Sequence, residues 1–141
     1  MPTLEDAITL AVEVHRGQVD KAGNPYILHP LGVMFRLRGE LDRTVGVLHD
    51  VIEDSELTFE DLRQMGYSEE VITALDGVTR RTNETYEEFV GRSQAHPVSR
   101  RVKLADLEDN MDLRRASAEL KQQDFERLRR YRRAWSRLQS G

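Results

Sequence analysis

Apolar residues recur at intervals of three and four along most of the chain, which is the period of one face of an α-helix. Two stretches with this spacing lie at residues 4–15 and 41–52. Two more begin after Thr58 and Ser68, residue types that cap helix N-termini, and Gly66 is suited to end the helix between them. No segment alternates apolar and polar residues strongly enough to indicate a strand.

The helical pattern continues into the second half of the chain. Pro97 fits the first turn of a helix that we expect to reach Leu113. A basic helix is predicted at about residues 119–139, with an apolar stripe formed by Leu128, Tyr131, Trp135 and Leu138. Residues 17–25 contain two glycines, a proline and an asparagine, so they should turn. The prediction is an all-α, compact single-domain helical bundle of about seven helices over residues 1–141.

Composition and charge exclude several classes of protein. The 141 residues include no cysteine, which rules out disulfides, thiolate zinc sites and cysteine nucleophiles. We expect no membrane span and no signal peptide, and therefore a cytoplasmic protein. Residues 1–113 carry 12 Lys and Arg against 22 Asp and Glu, whereas residues 114–141 carry 9 against 3. The acidic body argues against a nucleic-acid partner, and a phosphate ligand would need a cation to be held there.

The first chemical motif is a group of ionisable residues that directly follows Leu48. If the helix continues, Glu53 lies four residues beyond His49, and Asp54 lies four beyond Asp50, so all four share one edge. Closely packed carboxylates repel each other and are costly to desolvate without a counter-charge. A divalent cation would supply that charge, for which His and Asp are suitable ligands. A solvent-facing acidic strip is the alternative.

The other three histidines have different settings. His96 precedes Pro97 at a helix start, where capping is the expected role, and His15 ends the first apolar stripe, where a hydrogen-bonded structural histidine is expected. His29 lies between Pro25 and Pro30, which restrict the local backbone. A buried structural histidine would explain it, but together with His49 and Asp50 it becomes a candidate third ligand.

A fourth candidate ligand lies in the helix that begins at Pro97. Asp106 and Asn110 are four residues apart and share a face, and Lys103 lies three residues before Asp106. A surface position is the alternative for Asp106. Three nearby acids are expected to point elsewhere and to be solvated: Glu108, Asp109 and Asp112.

Three motifs occur in order along the chain: His15-x-Gly17-Gln18-x-x-Lys21-x-Gly23-x-Pro25-Tyr26-Ile27-x-His29-Pro30, Leu48-His49-Asp50-x-x-Glu53-Asp54, and Val102-Lys103-Leu104-Ala105-Asp106-x-x-x-Asn110. In this order they resemble the HD-superfamily hydrolase domain of the RelA/SpoT homologues, in particular the stand-alone small alarmone hydrolases. The resemblance covers about residues 4–115 and implies an HD-type fold.

The resemblance also implies roles for individual residues. Four match the ligands of one manganese ion: His29, His49, Asp50 and Asp106. Two match residues that position or deprotonate the attacking water: Glu53 and Asp54. Four match positions at or beside the nucleotide substrate: Lys21, Tyr26, Lys103 and Asn110. The implied reaction removes pyrophosphate from the 3′ position of guanosine tetra- or pentaphosphate and leaves GDP or GTP. Ligand type alone would also permit iron, zinc or cobalt.

One position departs from the family pattern. Alarmone hydrolases usually have an arginine directly before the motif lysine, whereas this chain has Asp20 before Lys21. An anion near a highly charged nucleotide opposes its binding. An adenosine analogue or another phosphate ester is therefore an alternative substrate, and a catalytically silent nucleotide-binding module is a third hypothesis.

Two basic segments each have two interpretations. The last helix carries six arginines around its apolar stripe, and we expect it to dock by that stripe and to solvate the arginines, with phosphate capture as the alternative. The loop Thr79-Arg80-Arg81 is expected to be solvated, although it could approach the site. The sequence leaves a homo-oligomer open.

Overall fold

The computed structural model describes residues 1–140 as an all-helical fold, which confirms the predicted fold class. A single antiparallel bridge joins Val19 to Pro25, and residues 1–140 contain no longer extended pairing. There are eight α-helices in this part of the chain: α1 (Leu4–His15), α2 (Leu28–Phe35), α3 (Glu40–Leu48), α4 (Phe59–Gln64), α5 (Glu69–Gly77), α6 (Tyr86–Gln94), α7 (Pro97–Asn110) and α8 (Gln122–Ser140). The single domain over residues 1–141 stays a prediction, and its last residue, Gly141, lies outside the described residues.

Helix α4 begins and ends as its sequence predicts. The Thr58 hydroxyl accepts a hydrogen bond from the Asp61 N–H at 3.1 Å, and the Asp61 carboxylate accepts one from the Thr58 N–H at 2.9 Å. This reciprocal pair is a capping box, which satisfies two backbone donors at the helix start. Gly66, two residues beyond the helix end, has a φ of +99°, a conformation that glycine adopts without a Cβ penalty.

The conformation of the segment after α3 differs from the sequence prediction. The predicted helix over residues 41–52 ends at Leu48, and residues 49–54 form successive turns. The backbone N–H groups of His49 and Val51 bond the carbonyls three residues earlier, at Gly46 and Leu48, so the pairing over four residues that defines an α-helix is interrupted there. The helix predicted to reach Leu113 likewise ends at Asn110, and Leu113 lies in a short 3₁₀ turn.

The main core lies between α1, α2, α3, α5 and α7. Its fully buried side chains include Ala7, Ala11, Val33, Val45, Leu48, Leu75 and Val102. Burying a Val or Leu side chain stabilises the fold by roughly 1.5–3 kcal/mol relative to leaving it exposed. This packing fixes α2, α3 and α7 against one another, and the predicted metal ligands lie on these helices or directly after them.

The basic helix α8 docks on the rest of the fold by its apolar stripe, as predicted. Leu138 is fully buried and packs with Leu107 of α7 and with Ala134. Its carbonyl also accepts a hydrogen bond from the Arg100 guanidinium at 2.7 Å, which ties the end of α8 to α7. The helix is thereby packed along α7 at the face that carries Leu107.

Among residues 1–140, every helix is too short or too polar to cross a membrane.

We expect Leu138→Ala to destabilise the fold by about 2–5 kcal/mol, because the substitution leaves a cavity at the contact of α8 with α7. Chemical denaturation followed by circular dichroism measures this loss. Gln139→Ala, at the neighbouring exposed position, is the control and should change stability by less than about 0.5 kcal/mol. Equal stabilities of the two variants would contradict the docking of α8 through Leu138.

Candidate metal centre and adjoining cavity

Four predicted ligands converge at one buried point. His29 comes from the first turn of α2, His49 and Asp50 directly follow α3, and Asp106 lies in α7. Ligand atoms of His29, His49 and Asp50 lie within 4.8 Å of one another. The Asp106 Oδ1 atom lies 2.9 Å from His29 Nε2 and 3.3 Å from His49 Nε2. The four side chains therefore present nitrogen and oxygen donors to a common space.

The orientation of His49 suits a metal ligand. Its Nδ1 atom lies 2.7 Å from the carbonyl oxygen of Gly46, an acceptor, so Nδ1 carries a proton and donates it. Its Nε2 atom is buried without a well-aligned hydrogen bond to any described residue, 3.2 Å from Asp50 Oδ2. A buried nitrogen aimed at two carboxylates has the geometry that a divalent cation would use. The donor set present here therefore fits a metal ion.

Positive groups keep the two carboxylates ionised. Although burial opposes ionisation, the Lys103 ammonium and the two histidines hold the pKa of Asp106 well below its usual range. Burial likewise opposes ionisation of Asp50, but His49 lowers the pKa of Asp50 to about 2. Burial alone would lower the pKa of His49, whereas Asp50 and Asp106 raise it well above its ordinary value. Without a cation, the positive charge of the histidines offsets the negative charge of the two aspartates.

The four residues predicted to contact substrate lie at the ligand cluster, at the cavity described below, or at both. Three bond a predicted ligand directly: Lys103 Nζ lies 2.8 Å from Asp106 Oδ2, Asn110 Nδ2 donates to Asp106 Oδ1 at 3.1 Å, and the Tyr26 hydroxyl donates to Asp50. Lys21, Tyr26 and Asn110 line the cavity.

The two predicted catalytic acids lie beside this centre, and each is held by another segment. Glu53 Oε1 accepts a hydrogen bond from the backbone N–H of Arg80 at 2.7 Å. Asp54 Oδ2 accepts one from Gln18 Nε2 at 3.3 Å. Both acids keep solvent-accessible surface, and the removal of water by surrounding protein raises the pKa of Glu53. One oxygen of Glu53 is anchored while the other is free.

A cavity of about 410 Å³ adjoins the centre. Its walls are the 18–26 segment, the region from Asp109 to Leu120, and one face of α8. Its apolar lining includes Leu113, Leu120, Leu128 and Tyr131. Its charged lining consists of Asp20, Lys21, His29, Asp109, Asp112, Arg115, Asp124 and Arg127. The basic helix α8 thus contributes Arg127 to the cavity, although this arginine is also paired with Asp124 at 3.1 Å.

Asp20 has a structural task within its loop. Its Oδ1 atom accepts hydrogen bonds from the backbone N–H groups of Ala22 and Asn24, both at 2.9 Å. A side-chain oxygen that bonds the backbone two residues on stabilises a turn. The residue that departs from the family pattern therefore shapes the turn and lines the cavity at the same time.

The burial of Asp109 differs from the sequence prediction. It was expected to be solvated, but it is 1% exposed, and its Oδ2 atom lies 2.7 Å from His29 Nδ1. Asp112 also forms ion pairs, with Arg36 and Arg114, whereas Glu108 is exposed as expected. Asp109 is three residues beyond Asp106, so helical spacing already places both on one face, a signal that was available in the sequence.

Histidines 15 and 96 have the structural roles that the sequence predicts. The buried His15 places Nδ1 2.9 Å from Gln18 Oε1, and thereby holds the residue that bonds Asp54. His96 is the N-cap of α7 and accepts a hydrogen bond from the Ser99 N–H at 3.3 Å.

In the loop between α5 and α6, Arg80 and Arg81 are exposed, as predicted, and the backbone at Arg80 also approaches the site. Arg92 fixes the loop, because its guanidinium donates to the carbonyl oxygens of Asp76 and Thr79, at 2.8 and 2.7 Å, and pairs with Glu84. This clamp holds the backbone at Arg80, whose N–H bonds Glu53. Sequence spacing alone does not indicate this connection, since it joins residues 27 positions apart.

Comparisons with known proteins show which proteins this chain is similar to. No family model matches the chain. It is 37% identical over 122 residues to a GTP pyrophosphokinase of Streptomyces coelicolor, and 31% identical over 120 residues to a guanosine-3′,5′-bis(diphosphate) 3′-pyrophosphohydrolase of Aquifex aeolicus. Each match covers 77% of this chain, but only 14% and 17% of the two relatives. The chain therefore spans less than a fifth of the length of these curated relatives.

A solved structure shares the fold. It is a metazoan ortholog of SpoT, described as hydrolysing ppGpp, with a TM-score of 0.76 and 20% sequence identity over 96% of this chain and 84% of that one. The class is thus an all-α domain with a buried cluster of histidines and aspartates. In sequence and in fold, the chain resembles the hydrolase domain of the RelA/SpoT homologues.

The Arg92 clamp predicts a pH-dependent contribution of Glu84 to stability. The Arg92 guanidinium lowers the pKa of Glu84 to about 2, against about 4.3 for an unfolded glutamate. A lowered folded-state pKa stabilises the protein above the unfolded value, and this stabilisation is lost as pH falls towards 2. Urea unfolding should therefore give Glu84→Gln a deficit that is largest above about pH 5 and shrinks as the solution is acidified. A deficit independent of pH would contradict the ion pair.

Proposed function

We propose that the protein hydrolyses the 3′-pyrophosphate of guanosine tetra- or pentaphosphate in a reaction that depends on a divalent metal. The observation that carries this proposal is the convergence of two histidines and two ionised aspartates beside the cavity. The relatives named as 3′-pyrophosphohydrolases support the same reaction.

Four residues would hold the cation: His29, His49, Asp50 and Asp106. A bound divalent metal would lower the pKa of a coordinated water and neutralise charge that develops on phosphate. Manganese is our proposal for its identity, on the resemblance to alarmone hydrolases, because ligand type alone permits several metals.

We propose that Glu53 and Asp54 act on the attacking water, Glu53 by accepting its proton and Asp54 by orienting it. The Arg80 N–H bonds one oxygen of Glu53, which leaves the second oxygen available to accept a proton. A pKa raised by partial loss of water makes Glu53 a stronger base than an ordinary glutamate. Asp54, held by Gln18, is proposed to orient the same water.

We propose different roles for the residues predicted to contact the substrate. Lys21 and Asn110 line the cavity and are suited to bond phosphate and ribose oxygens. Lys103, Tyr26 and Asn110 each bond a predicted ligand, so we propose that they also act beside the metal by influencing the charge on that ligand. The single domain, a cytoplasmic location and any homo-oligomer remain predictions.

A second candidate substrate class follows from the cavity charge. Its lining includes four aspartates and three Lys or Arg side chains. A lining without excess positive charge disfavours a polyanion relative to a nucleotide with fewer phosphates. A phosphate ester with fewer phosphates is therefore the competing substrate; the adenosine analogue carries the same charge, and the departure from the family pattern at Asp20 is what keeps it as an alternative.

Product analysis tests the proposed function. Manganese-loaded protein would be incubated with guanosine tetraphosphate, its adenosine counterpart and a panel of nucleotide monophosphate esters, and chromatography would identify the products. GDP and pyrophosphate, abolished by a chelator, are the expected result. Product from another ester alone would move the function to the second candidate, and binding without turnover would support the silent module.

His49→Ala should lose metal binding and hydrolysis together, because it removes a ligand whose Nε2 faces both carboxylates. Because the bound metal would activate the attacking water, loss of the metal should remove most of the hydrolytic rate. Calorimetric Mn²⁺ titration and product formation measure the two effects. His96→Ala, at the cap of α7, is the matched histidine control and should retain metal affinity. Normal turnover by His49→Ala would show that the centre is assigned wrongly.

Asp20→Arg should increase the preference for guanosine tetraphosphate over less phosphorylated nucleotides, because it replaces an anion at the cavity wall by a cation. Roughly 1 kcal/mol of altered electrostatic interaction corresponds to about a fivefold change in relative kcat/KM. Asp20→Asn separates the effects, since it keeps a turn-forming side chain and removes only the charge. An unchanged substrate ranking in both variants would exclude Asp20 as a determinant of specificity.

A further inference from the structure

Asp109 is a buried acid that none of the roles proposed above uses. Its side chain is fully buried at the level of the last turn of α7, and its Oδ2 atom contacts His29 Nδ1 at 2.7 Å and also bonds the Arg115 guanidinium. Arg36 Nη1 lies 3.4 Å from its Oδ1 atom. An acid at this depth needs such compensation, because desolvation of a carboxylate is costly.

The two nitrogens of His29 face different acids. Nε2 lies 2.9 Å from Asp106 Oδ1, inside the ligand cluster, whereas Nδ1 faces Asp109, outside it. Both carboxylates can accept a proton from the ring, but a cation in the cluster would take the Nε2 lone pair and leave the proton of the neutral ring on Nδ1, where Asp109 accepts it. The lone pair is then on Nε2, where it points at the cluster. Gly46 does the same for His49 through a backbone carbonyl.

We infer that Asp109 is a positioning residue that fixes the tautomer and ring orientation of His29 and thereby sets the affinity of the centre for its divalent cation. The inference rests on the proposed function, since it concerns the same metal centre. Carboxylates that bond the outer nitrogen of a ligating histidine act in this way in metal sites, and their removal costs about 10–100-fold in metal affinity or activity.

The packing around Asp109 supports a fixed position for its carboxylate. Gly32 of α2 faces it so closely that a Cβ atom there would lie 2.2 Å from Asp109 Oδ1. The absence of a side chain at residue 32 is therefore what allows the carboxylate to reach its place beside His29. A purely structural pair of Asp109 with Arg115 would not require Nδ1 of a predicted ligand as a third partner.

Metal affinity of the full chain, stripped with a chelator, tests the inference. Calorimetric titration with Mn²⁺ should show about 10–100-fold weaker binding by Asp109→Asn than by the wild-type protein. Asp112→Asn is the matched control, because Asp112 also pairs with Arg36 and lines the cavity but contacts no predicted ligand. It should keep the wild-type affinity for Mn²⁺.

A second variant perturbs the contact without removal of a polar group. Gly32→Ala should push the Asp109 carboxylate away from His29 and weaken Mn²⁺ binding in the same direction. Gly91→Ala in α6 is its control, because a Cβ there would meet only the end of the flexible Arg137 side chain, at 3.0 Å. Circular dichroism of each apo variant checks that the fold is retained.

Nuclear magnetic resonance gives a readout that a structural role would not move. In protein loaded with diamagnetic Zn²⁺, the His29 Nδ1–H proton should resonate far downfield in the wild type and be identified by its loss in His29→Gln. It should shift upfield or disappear in Asp109→Asn. Unchanged Mn²⁺ affinity and an unchanged resonance in that variant would overturn the inference alone. A wild-type protein without Mn²⁺ affinity would overturn the proposed function and this inference with it.

Discussion

The Asp106 carboxylate joins three parts of the fold at one buried point. It pairs with Lys103 on its own helix, lies within hydrogen-bond distance of His29 from α2, and faces His49 at the end of α3. A buried carboxylate persists only where compensating charge surrounds it. The packing of α2, α3 and α7 therefore determines the charge state of this centre, and the charges in turn restrict how these helices can pack.

The acids around this point are each held by a contact from another segment. Tyr26 bonds Asp50, the backbone at Arg80 bonds Glu53, and Gln18 bonds Asp54. Reactive geometry is reproducible only when surrounding groups lock the rotamers of the functional side chains. The turn at residues 17–25 thus holds Asp54 through the Gln18 side chain, and the loop between α5 and α6 holds Glu53 through the backbone N–H of Arg80.

Sequence patterns predicted the helical class, the capped start of α4 and the docking stripe of α8, because each depends on local spacing or on one helix face. The sequence motifs identified the four residues that converge in the structure: His29, His49, Asp50 and Asp106. The prediction that residues 49–54 continue a helix was wrong, since periodicity of apolar residues does not reveal the shorter backbone pairing at His49 and Val51. Helical spacing places Asp109 on the same face as Asp106, but its full burial depends on contacts with α2 and with Arg115 after α7, which lie outside the local pattern.

The central claim is that the two histidines and two aspartates hold one divalent cation. Anomalous diffraction at the manganese absorption edge, from crystals of the protein grown with Mn²⁺, tests it most directly. The account predicts one strong anomalous peak between His29, His49, Asp50 and Asp106, and its disappearance in crystals of His49→Ala. A wild-type map without a peak at this position, or with its manganese bound elsewhere, would contradict the account.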